Sequence, residues 1–369
     1  MLWRRTTWLL ACILLVGCVQ NGMAPEPGTV GESQPELQAD RLLVVNDAAQ
    51  LDARVQYLSK PLLIRRKETP GRELAPSLKP NDMRLTLVAQ VNPPKVAGHV
   101  VQANDVDIDG KTAIVAGGAG AIGTVMSAAL LNAGANVVIW SRTQESIDQA
   151  LQNLSTSDKF IDRIAGYRVD TGSEAEVSER LKDAVAKFGS LQILINAVGG
   201  GSGKAPLVET DMAQFETVLK LNLTAGLMVP TKAVAAYWIA HGIKGVIINL
   251  ASMASYNPLS GVWAYDAAKA GVLNLTVGAA GEFARYGIRV NALAPGFFLG
   301  KQNRALLVDE ETGEYTERGK AVIHHTPFGR FGETDELVGA TLFLASNKAS
   351  GFVTGVSIPV DGGYLTFNI

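Results

Sequence analysis

Ser252, Tyr265 and Lys269 are side chains of the types that pass protons to and from an alcohol or carbonyl oxygen. Tyr265 and Lys269 are four residues apart, a spacing that puts both on one face of a helix. There the lysine ammonium is expected to lower the pKa of the phenol from about 10. Ser252 follows the apolar run 245–250, so its hydroxyl is predicted at a strand end, within reach of the same point. The same Tyr–Lys spacing also occurs on solvated helix faces. Whether this pair is catalytic therefore depends on motifs elsewhere in the chain.

A glycine-rich turn earlier in the chain is of the type that binds phosphates. It follows the apolar run Thr112–Val115 and opens the helix-like stretch Thr124–Ala133. Backbone N–H groups at the start of a helix bind a pyrophosphate where glycine lets the two backbones approach. A lone motif of this kind is also typical of a flexible loop, but strand and helix patterns flank this one. The predicted dinucleotide-binding turn comprises Gly117, Gly118, Gly120, Ala121, Ile122 and Gly123.

Short apolar runs alternate with amphipathic stretches from residue 105 onward. Strands are predicted to begin at Thr112, Asn136, Ile161, Leu191, Gly245, Ile288 and Val356. Further helices are predicted at Ser173–Phe188, Pro230–His241, Tyr265–Arg285 and Thr334–Ala345. This alternation is typical of an α/β fold, a Rossmann-type doubly wound parallel sheet of about seven strands with helices on both faces. Such sheets bind ligands beyond the C-terminal ends of their strands, where Ser252 and Asn196 are predicted to lie.

This ordered set of motifs resembles the short-chain dehydrogenase/reductase family over residues 105–369. The landmarks after the glycine turn are Asn196-Ala197-Val198-Gly199, Asn222, Ser252, Tyr265 with Lys269, Pro295-Gly296 and Val360-Asp361-Gly362-Gly363. The resemblance implies that Tyr265 is the catalytic acid/base and that Ser252 orients the substrate carbonyl. It implies that Lys269 binds the ribose hydroxyls and tunes Tyr265, while Asn222 holds a water of the proton relay. It also implies cofactor contacts from Asp170, Asn196, Gly199, Pro295 and Gly296, and from Tyr265 and Lys269 themselves.

The cofactor-binding segments depart from the family pattern at four positions. The usual threonine before the turn is Ala116, and the middle glycine of the turn is Ala121. The second asparagine of the next element is Ala197, and a threonine expected after Pro-Gly is Gly300. A lost hydroxyl at Ala116 or Gly300 removes a hydrogen bond worth roughly 1 kcal/mol. The departures bear on cofactor affinity rather than on the type of reaction.

The end of the second predicted strand indicates which nicotinamide cofactor is bound. This strand ends in Ser141-Arg142, without the acidic residue that accepts hydrogen bonds from the ribose 2′-hydroxyl of NAD. A guanidinium suits the geometry of a phosphate, so Arg142 is placed to pair with the 2′-phosphate of NADP. An exposed arginine in a turn is the alternative. The sequence therefore favours NADP(H), with NAD(H) as the second choice.

Substrate recognition is expected in the segment after Pro295-Gly296, where the family places its variable lid. The stretches QNRALL, TERGK and HTPFGRFG resemble the D-mannonate oxidoreductase, or fructuronate reductase, branch, which interconverts sugar acids and keto-sugar acids. Candidate residues for a carboxylate and hydroxyls are Gln302, Asn303, Arg304 and His325, with Lys301 and Lys204 as further candidates. Arg304 and His325 could instead cap helices or join the lid to the core. Arg330 is predicted to be structural.

The motifs together predict an NAD(P)(H)-dependent oxidoreductase that interconverts a carbonyl and a secondary alcohol on a sugar acid of the D-mannonate/D-fructuronate type. A gluconate 5-dehydrogenase-like or 3-oxoacyl reductase activity is the alternative with the same chemistry, although the polar lid disfavours a thioester. A lipid-anchored NADP(H)-binding protein without turnover is the alternative from another class. Family members are commonly tetramers or dimers, so a homo-oligomer is expected.

Composition excludes several other classes of function. A hydrophobic content of 47% suffices for a large core, and a net charge of -2 gives no electrostatic case for binding nucleic acid. No cysteine follows Cys18, which excludes thiolate chemistry and disulfides from the catalytic region. The four histidines lack metal-ligand spacing, so no metal is expected.

The N-terminus carries a signal-like segment at residues 1–18. Two arginines precede a short apolar run, and Leu15-Val16-Gly17-Cys18 resembles the lipobox of bacterial lipoproteins, in which the cysteine is acylated. Anchoring at Cys18 conflicts with a cofactor found in the cytoplasm. The alternatives are a cytoplasmic protein whose N-terminus is retained inside the cell, or a mis-assigned start codon, for which Met83 is a candidate true start. Residues 19–104 form an extension or linker without a recognisable motif, and residues 105–369 form the catalytic domain.

Overall fold

The computed structural model describes residues 106–155, 158–299, 304–309 and 311–366, together with three short strands nearer the N-terminus. The chain divides into two compact units, Met1–Val100 and Val101–Ile369. The predicted signal-like segment and lipobox lie outside the described residues, as does all of the extension except its strands. The same holds for Gly300, Lys301, Gln302 and Asn303 of the predicted lid.

Within the first unit, three strands form an antiparallel sheet in the order β1-β3-β2. They are β1 (Leu42–Val45), β2 (Leu62–Arg66) and β3 (Leu85–Ala89). All three are apolar runs rich in leucine, valine or isoleucine, which are typical of strands. The sequence analysis treated this region as an extension or linker and predicted no sheet in it.

The second unit is built on a seven-stranded parallel sheet in the order β10-β9-β8-β7-β4-β5-β6. Its strands are β4 (Thr112–Ala116), β5 (Asn136–Ser141), β6 (Ile164–Arg168), β7 (Ile193–Asn196), β8 (Val246–Leu250), β9 (Arg289–Pro295) and β10 (Ser357–Val360). The order reverses between β4 and β7, which makes this pair the switch point of a doubly wound sheet. The Rossmann-type α/β fold predicted from the sequence is confirmed.

Helices connect the strands. The longer ones are α1 (Ala121–Asn132), α2 (Gln144–Leu154), α3 (Glu174–Phe188), α4 (Met212–Leu219), α5 (Val229–His241) and α6 (Trp263–Phe283). The C-terminal part adds α7 (Arg304–Leu307), α8 (Glu317–His325), α9 (Val338–Ala345) and α10 (Asn347–Ser350). Side-chain caps mark several starts, among them Thr143 before α2 and Ser173 before α3.

Both faces of the parallel sheet are buried, which explains why its strands are continuous apolar runs. Successive side chains of a strand point to opposite faces. Accordingly Ala113 and Val115 pack in one hydrophobic cluster, whereas Ile114 and Ala116 pack in the other. The second cluster contains Trp238, whose indole N–H donates to the carbonyl of Leu191 at 2.8 Å and is thereby satisfied inside the core.

Two elements differ from the sequence prediction. The third strand begins at Ile164 rather than at Ile161, because residues Asp158–Arg163 form a 3-10 helix first. The helix predicted from Pro230 is the last part of a longer one that runs from Met212 through the π-helical segment Lys220–Met228. By length and composition alone this helix is long and apolar enough to cross a membrane, and half of its most apolar window is buried inside the fold.

The C-terminal ends of the central strands bring the predicted site residues to one edge of the sheet. The glycine turn follows β4, Asn196 ends β7, Ser252 comes two residues after β8, and Pro295 ends β9. Parallel pairing places all of these ends on the same side.

Candidate active site

Ser252 and Tyr265 meet at this edge of the sheet. Ser252 caps the 3-10 turn Met253–Ser255, and its hydroxyl oxygen accepts a hydrogen bond from the N–H of Ala254 at 3.1 Å. Tyr265 lies in the first turns of α6, close enough to Ser252 for this side chain to lower the pKa of the phenol. The sequence therefore brings a serine from a strand end and a tyrosine from a helix to one point, as the motif predicted.

Burial raises the pKa of Tyr265 above its ordinary value of 10.0. The Ser252 side chain acts in the opposite direction, and the negative charge of Asp266 raises the pKa further. The sequence analysis expected a lowered pKa because of Lys269, and the net shift is upward instead. Burial outweighs the favourable contacts because a phenolate in a poorly solvated position is costly. The phenol is consequently protonated at neutral pH and suited to act as an acid.

Lys269 lies one turn further along α6 and is buried, with 5% of its surface exposed. Its ammonium donates a hydrogen bond to the carbonyl of Leu250 at 2.7 Å, at the end of β8. The nitrogen is 5.6 Å from the centre of the Tyr265 ring. Burial lowers the pKa of Lys269 from 10.5 to about 8. The side chain is thus a cation near neutral pH that loses its proton more readily than an exposed lysine.

Asn222 lies in the π-helical segment, where it binds the glycine run that follows β7. Its amide donates to the carbonyls of Gly200 (2.7 Å) and Val218 (2.9 Å), and its oxygen accepts from the N–H of Gly200 at 3.2 Å. A Cβ on Gly199 would lie 2.6 Å from the Asn222 oxygen, and one on Gly201 would lie 3.2 Å from the Tyr265 ring. Asn222 therefore holds this glycine run against the site. The water that the resemblance assigns to Asn222 stays a prediction.

The glycine turn forms a close backbone cradle at the start of α1. Gly117 has a φ of 80°, and a Cβ there would lie 2.7 Å from the backbone of Ala197. A Cβ on Gly123 would collide with the carbonyl of Gly117. The helix begins after Gly120, which offers no side-chain cap to the first amides. The first amides of a helix lack intrahelical partners, so the start of α1 beside this cradle fits the pyrophosphate of a dinucleotide.

The remaining predicted cofactor residues follow other strands at the same edge of the sheet. Ser141 ends β5 with its hydroxyl 2.8 Å from that of Ser146, and Arg142 follows it, exposed. Asp170 is exposed and accepts from the N–H of Gly172 at 2.9 Å. Gly296 passes so close to β10 that a Cβ would lie 2.6 Å from the Cα of Asp361, which explains the glycine after Pro295.

The side chain of Asn196 points into the core rather than to the cradle. Its amide donates to Thr231 and to Asn249, both at 2.9 Å, and Asn249 in turn donates to Thr276 at 2.9 Å. This buried network joins β7 and β8 to α5 and α6. Asn196 therefore fixes the strand end, and a direct cofactor contact stays a prediction.

The described lid residues are distributed around the same edge. His325 ends α8, with its ring 5.0 Å from that of Tyr364, and Tyr364 lies 5.4 Å from Phe297, just after Gly296. Arg304 begins α7 and is exposed. Arg330 forms two hydrogen bonds to Glu336, at 2.8 and 2.6 Å, which is the structural role predicted for it.

Lys204 lies against Gly261, shortly before the start of α6. A Cβ on Gly261 would lie 3.1 Å from the Lys204 stem, and the backbone next to it is held by a bond from Ala205 to Gly261 at 3.1 Å. The indole of Trp263 also donates to the carbonyl of Ala205, at 3.0 Å. The loop that carries Lys204 is thus fixed against the start of α6, two residues before Tyr265.

Sequence reasoning missed three contributors to the site. Gly201 lies against the catalytic ring, Asp266 raises the pKa of Tyr265, and Ser255 bonds to both Ser252 and Lys269. Only Asp266 left a signal that could have been used, since a carboxylate next to a buried tyrosine must affect its titration. Among the described residues no cluster of three or more histidine, cysteine, aspartate or glutamate side chains could hold a metal ion.

Comparison with known proteins gives consistent matches over the second unit. A family model described as enoyl-(acyl carrier protein) reductase matches residues 117–365. An uncharacterized oxidoreductase of Bacillus subtilis, UxuB, is 35% identical over 277 residues, which cover 71% of this chain and 97% of the relative.

Solved structures match the same region. A protein from Haemophilus influenza, provisionally named a D-mannonate oxidoreductase and solved with NAD, is 31% identical with a TM-score of 0.66, covering 72% of this chain and 98% of that one. A gluconate 5-dehydrogenase from Burkholderia cenocepacia, in complex with NADP and tartrate, is 34% identical with a TM-score of 0.63, covering 70% of this chain and 97% of that one.

Proposed function

The chain belongs to the short-chain dehydrogenase/reductase family, and from this premise we propose that it interconverts a carbonyl and a secondary alcohol on a sugar acid of the D-mannonate/D-fructuronate type. The chain is an oxidoreductase of this family, which uses NAD(P). The observation that carries the proposal is the meeting of Ser252, Tyr265 and Lys269 beside a glycine cradle.

Proton transfer is assigned to Tyr265. A bound nicotinamide supplies the hydride to the carbonyl carbon in reduction and accepts it in oxidation. Tyr265, protonated at neutral pH because burial raises its pKa, donates a proton to the carbonyl oxygen. The Ser252 hydroxyl, which lies close to this phenol, binds the same oxygen and aligns it. In the reverse direction Tyr265 must first lose its proton, so oxidation is expected to need a higher pH than reduction.

Lys269 and Asn222 assist proton transfer by Tyr265 without donating the proton themselves. The Lys269 cation near the phenol favours the phenolate that forms when Tyr265 gives up its proton. Asn222 holds Gly200, and with it the run that lies against the Tyr265 ring. Both groups thereby help to keep the reacting oxygen in one position.

A polyhydroxy acid fits the groups available around the site. Lys204 near the start of α6, and Arg304 and His325 at the lid, offer cationic or polar contacts to a carboxylate and hydroxyls. The names of two matched structures, a D-mannonate oxidoreductase and a gluconate 5-dehydrogenase, support a sugar acid. The gluconate 5-dehydrogenase match supports oxidation of an aldonic acid at C5 equally well, and this is the second candidate.

The cofactor preference is proposed to be NADP(H). Arg142 stands exposed directly after β5, at a strand end that carries no acidic residue, where a guanidinium can pair with a 2′-phosphate. The matched structures include one with NADP and one with NAD, so the family accommodates both.

The test is turnover by the full chain, followed through nicotinamide absorbance. The panel pairs NADPH or NADH with D-fructuronate, 5-keto-D-gluconate and a 3-oxoacyl thioester, and includes Tyr265→Phe as the inactive reference. Turnover of D-fructuronate in preference to the others supports the proposal. Preference for 5-keto-D-gluconate supports the second candidate, and activity on the thioester alone overturns both.

A further inference from the structure

The hydroxyl of Ser255 joins the strand end that carries Ser252 to the helix that carries Tyr265 and Lys269. It accepts a hydrogen bond from the backbone N–H of Ser252 at 3.2 Å and donates one to the backbone carbonyl of Lys269 at 2.7 Å. A serine hydroxyl has one proton to donate, so the Ser255 proton is committed to α6. Ser255 is therefore not a second proton donor for the substrate.

A second bond acts between the same two elements. The Lys269 ammonium donates to the carbonyl of Leu250 at 2.7 Å, so Lys269 binds residues 250–255 through its side chain and through its backbone. The hydroxyl of Ser252 in turn accepts from the N–H of Ala254 within the 3-10 turn. The orientation of the Ser252 hydroxyl thus depends on the conformation of this turn. The Ser255 side chain fixes that conformation, because it binds the backbone of Ser252 before the turn and the backbone of Lys269 in α6.

We propose that Ser255 is a positioning residue that sets the geometry between the Ser252 and Tyr265 hydroxyls by tying the Ser252 backbone to α6. The inference rests on the proposed function for its kinetic consequence, but the hydrogen bonds on which it is based do not depend on the substrate. Without the Ser255 hydroxyl, the Ser252 N–H and the Lys269 carbonyl lose their common partner, and the turn is free to shift relative to Tyr265.

The kinetic test compares Ser255→Ala with Ser255→Thr in the full chain. Ser255→Ala is expected to lower kcat by about 10-fold to 100-fold, because a shift of about 1 Å in a reacting group has an effect of this size. The KM for NADPH is expected to change by less than about twofold, since the glycine cradle is untouched. Ser255→Thr keeps the hydroxyl and should recover most of kcat.

Ser350→Ala is the matched control. Ser350 is a buried serine whose hydroxyl lies 2.6 Å from the carbonyl oxygen of Phe343 and 2.9 Å from that of Ser346, so its proton is likewise bound to backbone, but it lies in α10. It should lose a comparable hydrogen bond without losing kcat. An equal loss of kcat in Ser350→Ala and Ser255→Ala, or failure of Ser255→Thr to recover it, overturns the proposal. If Ser255→Ala does not fold, Ser255→Cys gives the same comparison with a weaker donor.

A readout without substrate separates this inference from the proposed function. The titration of Tyr265 is measured as the tyrosinate absorbance that disappears in Tyr265→Phe. Because the Ser252 side chain lowers the pKa of Tyr265, Ser255→Ala should move this titration to higher pH. Lys269 and Asp266, the charged groups next to the phenol on α6, are the same in both proteins. If wild type turns over no sugar acid but the titration shifts, the proposed function fails and the positioning role stands. An unshifted titration overturns the positioning role.

Discussion

Burial gives Lys269 and Tyr265 opposite responses to pH. Lys269 has its pKa lowered from 10.5 to about 8, so between these values the unfolded chain holds a proton that the folded chain has released. Stability therefore rises with pH across this window, because the unfolded state binds more protons. Tyr265 has its pKa raised above 10.0, so the folded chain retains a proton that the unfolded chain loses, and stability falls at higher pH.

The first prediction concerns Lys269→Met. Between pH 8 and 10 the free energy of unfolding of wild type should rise relative to that of the variant by on the order of 1 kcal/mol per pH unit. Urea unfolding at several pH values measures this difference. Lys232→Met, which removes an exposed lysine paired with Glu174 at 2.8 Å, controls for the loss of a lysine as such. A constant difference between wild type and Lys269→Met across the window would contradict the buried titration.

Removal of the Tyr265 hydroxyl gives the second prediction. Tyr265→Phe should lower kcat by at least about 100-fold, since the proton donor is lost while the packing of the ring is kept. Binding of NADPH, measured by fluorescence, should be nearly unchanged. Tyr256→Phe is the matched control, because Tyr256 is 42% exposed and belongs to the same segment of the chain. Unchanged turnover in Tyr265→Phe would refute the assignment.

At the residue scale, the sequence identified the groups but not their energetics. The spacing of Tyr265 and Lys269, and the strand before Ser252, were sufficient to bring the three together. The direction of the Tyr265 pKa shift could not be predicted, because it depends on how much of the phenol is buried. Ser255 could not be recognised either, since its function arises from bonds to two backbone groups of which one lies fourteen residues away.

At the scale of elements, apolar runs located every strand of the parallel sheet to within three residues. The largest error, at Ile161, came from a 3-10 helix that places an apolar residue just before β6. The π-helical segment Lys220–Met228 was not predicted, because no residue type in it distinguishes a π turn from an α turn. The sheet of β1, β2 and β3 could not be assigned from short runs separated by proline-rich sequence.

The packing of the glycine cradle gives the third prediction. A methyl group on Gly123 would collide with the Gly117 carbonyl, so Gly123→Ala should lower the free energy of unfolding by about 1 to 3 kcal/mol. It should also weaken NADPH binding. Gly278→Ala on α6 should have the opposite sign, a gain of about 0.5 to 1 kcal/mol, because nothing lies within 4 Å of the added methyl. Chemical denaturation of both variants measures these changes in the free energy of unfolding. Equal changes in the two variants would contradict the close packing at Gly123.

The end of β5 gives the fourth prediction. Arg142→Ala should raise the KM for NADPH by about 10-fold to 100-fold, the equivalent of one lost charge-assisted hydrogen-bonded pair, and should leave the KM for NADH unchanged. Arg168→Ala, an exposed arginine at the end of the neighbouring strand β6, is the matched control. Equal effects on the two cofactors would show that Arg142 does not recognise the 2′-phosphate.

At the scale of the whole molecule, the chain joins a catalytic unit to an N-terminal unit of a different kind. Val101–Ile369 is a parallel sheet with covered faces, whereas the described strands of Met1–Val100 form a small antiparallel sheet. The matched relatives extend over about 70% of this chain and nearly all of their own lengths, so the N-terminal unit is an addition to what they share.

The signal-like segment gives the fifth prediction, which distinguishes a lipid anchor at Cys18 from a cytoplasmic protein. If the lipobox is used, wild type expressed in a bacterium carries an acylated N-terminal cysteine and sediments with membranes, whereas Cys18→Ser is found in the soluble fraction. Mass spectrometry of the N-terminus identifies the modification directly. Identical fractionation and unmodified N-termini in both proteins would favour the cytoplasmic interpretation, in which the cofactor is supplied in place.

The π-helical segment sets the rotational phase of the helix in which it lies. A π turn holds one residue more than an α turn, and one residue corresponds to about 100° of rotation about the helix axis. Deletion of a single residue within Lys220–Met228 that restored α-helical turns would therefore rotate Met212–Leu219 relative to Val229–His241. Either Asn222 would leave Gly200, or α5 would present a different face to the sheet. The irregular turn is thus what allows one continuous helix to serve both the core and the catalytic edge.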